Sequence, residues 1–308
     1  MEKHKKIIGP LLGAALFSAA IWAICHELST YRMDAICASW QSLSVPDLMF
    51  SAVLTLASYT VLTGYDTLAL NVTGRPLPYR NVAQASFIGY AFSNNIGLSM
   101  LSGASVRFRI YSGWGLSAAD IARVFALCIL SAWLGFFVLA GLTFTFFPIP
   151  VAGTGIPVFA DTRGVGLILL AVVGLTFAVS AAGGGNIKIF GRKIKIPEPR
   201  ILATQIALSV TDWSIAAGVL YVLLPKDTGI GFAAFTSIFL LAQVAGFSSQ
   251  VPGGLGVFEA IILVMLSPKI PGDRIIVSLL AYRAVYYLIP LVLAAVLLGA
   301  REILIARK

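Results

Sequence analysis

Charge is scarce in this sequence. Asp, Glu, Lys and Arg make up 11% of its 308 residues, against about a quarter in an ordinary soluble domain. That is too little polar sequence to coat a globule in water, and no stretch is long and polar enough to form a separate soluble catalytic domain. Histidine is scarcer still. His4 and His26 are the two present, both near the ends of the first apolar run, which argues against a histidine-based metal or acid–base centre. Cys25, Cys37 and Cys128 are odd in number, sit in apolar settings and lack metal-ligand spacing, so they read as packing residues. The string "GGLG" at 253–256 follows no strand and precedes no Lys or Ser/Thr of a phosphate loop. Neither nucleotide, metal nor other cofactor is expected, and any transport would be passive or ion-coupled.

What is present is apolar sequence from end to end: 58% hydrophobic residues and a mean hydropathy of +0.92. The chain reads as an all-α polytopic membrane protein forming a single transmembrane domain over 1–308. A spanning helix takes about 20 apolar residues. Residues 7–28, 47–72, 117–147, 164–182, 201–224 and 274–305 meet that length. The first reads as a retained signal anchor, because it exceeds a signal-peptide core and Cys25-His26-Glu27 is no cleavage site. Residues 29–46 suit a short interfacial helix. Ser117 fits an N-cap with Asp120 in the first turn, Pro148 and Pro150 stop that helix, and Pro290 predicts a kink in the last one. The alternation in "NIKIFGRKIKIP" suggests a small hairpin turning at Gly191 inside a basic connector, 183–200.

Segments 81–110 and 231–266 are interrupted by polar and glycine-rich strings, and each is expected to be a re-entrant hairpin. If both enter and leave on one side, Lys3, Arg75, Arg107, Lys193, Arg200 and Arg307 share a face, while the other holds little beyond Arg32, Arg163, Lys226, Lys269 and Arg274. The positive-inside bias then places both termini in the cytoplasm, in the inner membrane of a cell. The net charge of +9 is accounted for by anionic lipid surfaces rather than nucleic acid. The order span, span, hairpin, span occurs twice, so residues 1–150 and 160–308 read as inverted repeats. "FSNNIG" at 92–97 matches "FSSQVPG" at 247–253. Such repeats place a transport site between the halves, near the midplane.

Ionisable groups within apolar segments are functional candidates by default. Those here are Asp66, Arg107, Arg109, Asp212, Glu259 and Arg283. Asp66 is expected to pair with Arg107 or Arg109, and Arg283 with Glu259 or Asp212. Asn94, Asn95, Ser99, Ser102 and Ser105 would give the first hairpin a polar lining. Gly253, Gly254 and Gly256 with Pro252 break the second. The helix restarting near Val257 would aim its N-terminal amides at the same cavity, a ready anion site, and arginine suits a phosphate headgroup.

"YDTLALNVTGRPLPY", "SFIGYAFSNNIGLSMLSGASVRFRIYSGWGLS", "DWSIAAGVLYVLLP" and "VPGGLGVFEA", in this order, resemble the transmembrane, flippase half of the bacterial lysylphosphatidylglycerol synthase/flippase family. The resemblance covers nearly the whole chain. It implies movement of aminoacylated phosphatidylglycerol from the inner to the outer leaflet, which lowers negative surface charge and weakens cationic antimicrobial peptides. It matches Asp66 to the family's aspartate and Arg107 or Arg109 to its arginine, and it implies an aminoacyl-lipid synthase as a partner. Two-domain members carry a soluble aminoacyl-transferase domain that these residues do not resemble, so synthesis is not expected. The alternatives are a translocator of a polyprenyl-phosphate or other lipid carrier, a small-solute or ion transporter, and a membrane enzyme using only the carboxylates Asp66, Asp212 and Glu259.

Overall fold

The computed structural model of the chain describes residues 43–95, 99–150, 161–182, 186–189, 192–195, 197–226, 229–249 and 252–306. The expected first span 7–28, most of the interfacial stretch 29–46 and the turn at Gly191 lie outside these residues. The described chain is helical apart from a short strand pair: α1 (Val45–Val72), α2 (Tyr79–Asn95), α3 (Ser99–Ser112), α4 (Ala118–Phe146), α5 (Arg163–Ala181), β1 (Asn186–Ile189), β2 (Arg192–Lys195), α6 (Pro199–Leu223), α7 (Phe232–Ser249), α8 (Val257–Leu266), α9 (Gly272–Tyr282), a π turn (Arg283–Leu288) and α10 (Ile289–Ala306). β1 and β2 pair antiparallel, Asn186 opposite Lys195, as the alternating pattern suggests.

Helix ends follow local chemistry. The Ser44 hydroxyl caps α1 by accepting from the Asp47 N–H at 3.2 Å, and Ser117 caps α4 through the Asp120 N–H at 3.2 Å. Pro199 opens α6 at its first position. Proline has no N–H to close a regular turn, and the wide turn just before Pro290 accommodates that loss.

Among the described residues, six helical units are long and apolar enough to cross a membrane: α1, α4, α5, α6, α7 and the continuous stretch Gly272–Leu304. The inclusion of α7 differs from the sequence reading, which made it half of a hairpin; its 18 residues reach roughly 27 Å. α8, with 10 residues, reaches only about 15 Å. Large apolar side chains cover the outside, among them Leu56 and Phe50 on α1, Leu167 and Leu175 on α5, and Val296 on α10. An outer surface of this kind belongs in lipid.

Inside, two packed clusters form. One gathers α4, α6, α7, α8 and α9 around Phe136, Phe235, Phe239, Phe258, Ile262 and Tyr282. The other gathers α1, α2, α3, α4 and α10 around Tyr59, Tyr65, Ile88, Phe92, Ile110 and Leu291. Lipid gives helices no hydrophobic reason to associate, so close fit must hold them. α4 achieves it with small residues: a Cβ on Gly135 would fall 2.2 Å from Ser209 Cβ of α6, and one on Gly166 of α5 would fall 2.9 Å from the Gly141 carbonyl oxygen.

Candidate functional site

α1 packs more extensively on α6 than on any other element. Its inward face carries Ser51, Thr55, Ser58, Tyr65 and Asp66, all buried. Asp66 is fully buried. An isolated carboxylate there would be very costly, and four residues of three neighbouring helices supply donors. Arg107 Nη1 of α3 lies 3.2 Å from Oδ2 and 3.3 Å from Oδ1. Ser86 of α2 donates to Oδ2 at 2.7 Å, Tyr111 of α3 donates to Oδ1 at 3.0 Å, and the Cys128 thiol of α4 is 3.9 Å from Oδ1. The Arg107 guanidinium lies 4.4 Å from the Tyr90 ring centroid and 4.8 Å from that of Phe125, a cation between two aromatic faces. Gly89 makes room for it: a Cβ there would fall 2.5 Å from Arg107 Cγ. Arg107 Nε is buried and has no hydrogen-bond partner among the described residues.

Arg109, two residues on, points elsewhere and forms a bidentate pair with Glu302 of α10, Nε to Oε1 at 2.8 Å. Of the two arginines matched to the family motif, Arg107 is the one on Asp66. Ser105 is exposed; the side chains of Ser99 and Ser102 lie outside the described residues.

The second ion pair sits at the other break. Arg283, in the π turn, donates from Nε to Glu259 Oε1 at 2.7 Å and from Nη1 to the Gly253 carbonyl at 3.0 Å. Its cationic head lies 4.7 Å from the Tyr287 ring centroid. Glu259 Oε2 accepts from the Gly256 N–H at 2.8 Å. The amides at the start of α8, expected to face an incoming anion, therefore already hold the chain's own carboxylate, three residues ahead in the pattern of a capping box. The break itself requires glycine. Gly253, Gly254 and Gly256 have φ of +59°, +65° and +77°, a region closed to most side chains.

The two breaks meet. A Cβ on Gly253 would lie 3.6 Å from the Asn94 carbonyl oxygen and 3.7 Å from that of Asn95, the last residues of α2. Asn95 Nδ2 donates to Ala91 O at 2.8 Å and to Tyr287 O at 3.2 Å. Asn94 reaches the Tyr59 hydroxyl. The α2 terminus, the glycine turn and the π turn thus share one junction, with the Arg283 cation beside the negative end of the α2 dipole.

Asp212 stands apart. It is 8% exposed and accepts from the Ser58 hydroxyl at 2.7 Å and, at 3.4 Å, from that of Tyr65. Among the described residues it has no cationic partner.

Between the first turns of α2 and the middle of α10 lies a groove of about 520 Å³ lined by Pro78, Arg80, Asn81, Gln84, Phe87 and Leu297. Arg80 is exposed. The Phe87 ring touches that of Tyr59, centroids 5.3 Å apart, which links the groove wall to the junction.

The sequence reading missed Ser58, Ser86, Gly89, Tyr111 and Tyr286 as members of these networks, and it assigned Cys128 to packing alone. Ser51, Ser58 and Tyr65 do repeat at seven residues with Thr55 between them, a polar stripe within an apolar span. That spacing is the signal that could have found them.

Spanning-length helices, an apolar exterior and ion pairs enclosed between helices define a multi-pass membrane protein with a polar interior. The chain belongs to the lysylphosphatidylglycerol synthase TM region family, whose model matches residues 10–294. It is 41% identical over 311 residues to the uncharacterized protein slr0712 of Synechocystis, across 100% of this chain and 95% of that protein. It is 34% identical over 253 residues to the inner membrane protein YbhN of Escherichia coli, across 80% and 78%. Phosphatidylglycerol lysyltransferase of Staphylococcus aureus is 23% identical over 302 residues, matching 96% of this chain but 34% of its own length, so the chain spans about a third of that relative.

Proposed function

We propose that this protein moves an anionic or aminoacylated phospholipid, of the lysylphosphatidylglycerol kind, between the leaflets of the cytoplasmic membrane, without itself synthesising the lipid. The groove between α2 and α10 carries this reading. It sets Arg80, Asn81 and Gln84 beside Phe87 and Leu297, a polar end for a headgroup and an apolar wall for a chain. It borders the exposed apolar face of α10, where Leu293 and Val296 project outward, the kind of face toward which a lipid path would open. Arg107, Arg109 and Arg283 already hold carboxylates, which leaves Arg80 the better first contact for phosphate.

In this reading α2–α3 and α7–α8 are re-entrant hairpins, halves 1–150 and 160–308 are inverted repeats, and both termini are cytoplasmic. The meeting of the two breaks supports it, as do the short α3 and α8, since non-helical backbone at membrane depth must be enclosed by protein. The headgroup passes from the groove to the junction, where Asp66–Arg107 and Glu259–Arg283 flank its way.

The test is leaflet exchange in proteoliposomes across a headgroup panel: phosphatidylglycerol, its lysyl ester, phosphatidylethanolamine and a polyprenyl phosphate. Acceleration for the phosphatidylglycerol lipids, weakened by Arg80→Glu, is expected. Acceleration for the polyprenyl phosphate alone replaces the cargo, and no acceleration for any lipid removes the reading.

A further inference from the structure

The buried carboxylates differ in one respect. Asp66 and Glu259 each hold an arginine, and Asp212 holds only hydroxyls. α1 supplies Ser58, Tyr65 and Tyr59, and the π turn supplies Tyr286. Toward α4 its own helix is occupied by Ser209 and Trp213, both donating to the Ala132 carbonyl at 2.8 and 3.2 Å. The titratable groups around it are therefore tyrosines, and among the described residues no cation balances it.

The hydroxyls also form a directed chain. Ser58 has one hydrogen and gives it to Asp212 Oδ1 at 2.7 Å. Tyr286, whose oxygen is 2.9 Å from Ser58 Oγ, must then be the donor to Ser58. A proton arriving on Oδ1 reverses this order: Asp212 donates to Ser58, Ser58 donates to Tyr286, and the Tyr286 hydrogen must turn to another acceptor. Tyr286 belongs to the π turn, the same six residues that carry Arg283 and whose Tyr287 carbonyl accepts from Asn95. A π turn can relax to a regular one by a shift of register, so it offers the two arrangements that a coupled cycle needs.

We propose that Asp212 is a proton-binding site that couples the working cycle of this protein to the transmembrane proton gradient through Ser58, Tyr286 and the π turn. The inference rests on the lipid reading only for the identity of the cargo. Its test uses the full chain in proteoliposomes, with a fluorescent phosphatidylglycerol and an imposed pH gradient, read as the ratio of exchange rates with and without the gradient. A several-fold ratio is expected in the parent, falling to one in Asp212→Asn and reduced in Ser58→Ala and Tyr286→Phe. Infrared difference spectra between acid and alkaline pH need no lipid movement. They should contain a carboxylic C=O band that is absent in Asp212→Asn and displaced in Tyr286→Phe. If the Asn variant does not fold, the Ser58→Ala and Tyr286→Phe ratios and band displacement decide. A parent ratio of one, or a titrating band that survives Asp212→Asn unchanged, overturns the proposal. If no lipid exchanges but the band behaves as described, the lipid reading fails and the proton site stands.

Discussion

Among the described residues two arginine–carboxylate pairs are buried, and they hold different things. Asp66–Arg107 joins helices side by side: its donors come from α2 and α3 to a carboxylate on α1. Glu259–Arg283 joins a helix to a break, because Arg283 also holds the Gly253 carbonyl and Glu259 also holds the Gly256 amide. The first pair is a closed knot of side chains. In the second, half of the bonding is to backbone. The first should therefore fail by leaving a stranded charge, and the second by releasing the glycine turn.

The largest expected effect follows from stranding Asp66. Arg107→Met should cost about 3–5 kcal/mol, seen as a lower unfolding midpoint in detergent. Adding Asp66→Leu should recover most of it, since a buried pair can be exchanged for apolar groups with little loss. A double variant no better than the single would show that the knot is not the cause. Glu259→Gln comes next, at about 1.5–3 kcal/mol, because glutamine still accepts from the Gly256 amide. Labelling of a cysteine placed near the glycine turn should speed up, whereas the same probe should be indifferent to Arg107→Met. Adding Arg283→Met should not slow that labelling, in contrast to the recovery at the first pair. Gly89→Ala sharpens the comparison from a third side. It pushes a methyl group onto the Arg107 stem and should cost about 1–3 kcal/mol, without changing labelling at the turn. Arg109→Ala removes a partly exposed pair and should cost about 0.2–1 kcal/mol, the baseline for the other three.

The same contrast explains what could be read from sequence. Helix starts were legible wherever a side chain acts on its own neighbours, as at Ser117, and the glycine break was legible because no other residue fits its backbone. Asp66 and Glu259 stood out because charge in an apolar run needs a reason. The choice between Arg107 and Arg109 was not legible: two residues apart on a helix they face away from each other, and only the packing of α3 on α2 and α4 decides which enters the core. Glu259 and Asp212 were equal candidates for Arg283 for the same reason. Ser86, Gly89 and Tyr286 have roles made entirely by distant segments. The break at Pro252 was legible too, and the 18 residues of α7 ahead of it reach spanning length by themselves.

The wide turn at Arg283–Leu288 has a further geometric consequence. Ile275, Leu279, Tyr282 and Tyr286 are buried at regular helical spacing, and continued unchanged that rhythm would next bury residues near 290, 293 and 297. Pro290 is buried, but beyond it Leu291, Ala294 and Leu298 are buried, while Leu293 and Leu297 are exposed. The turn has absorbed one residue, and everything beyond it is rotated by about 100°. Without that phase slip the closing helix would present its outer side to α2, and Glu302 would swing off Arg109. The eighteen residues of α10 face the way they do because of an irregularity upstream of them.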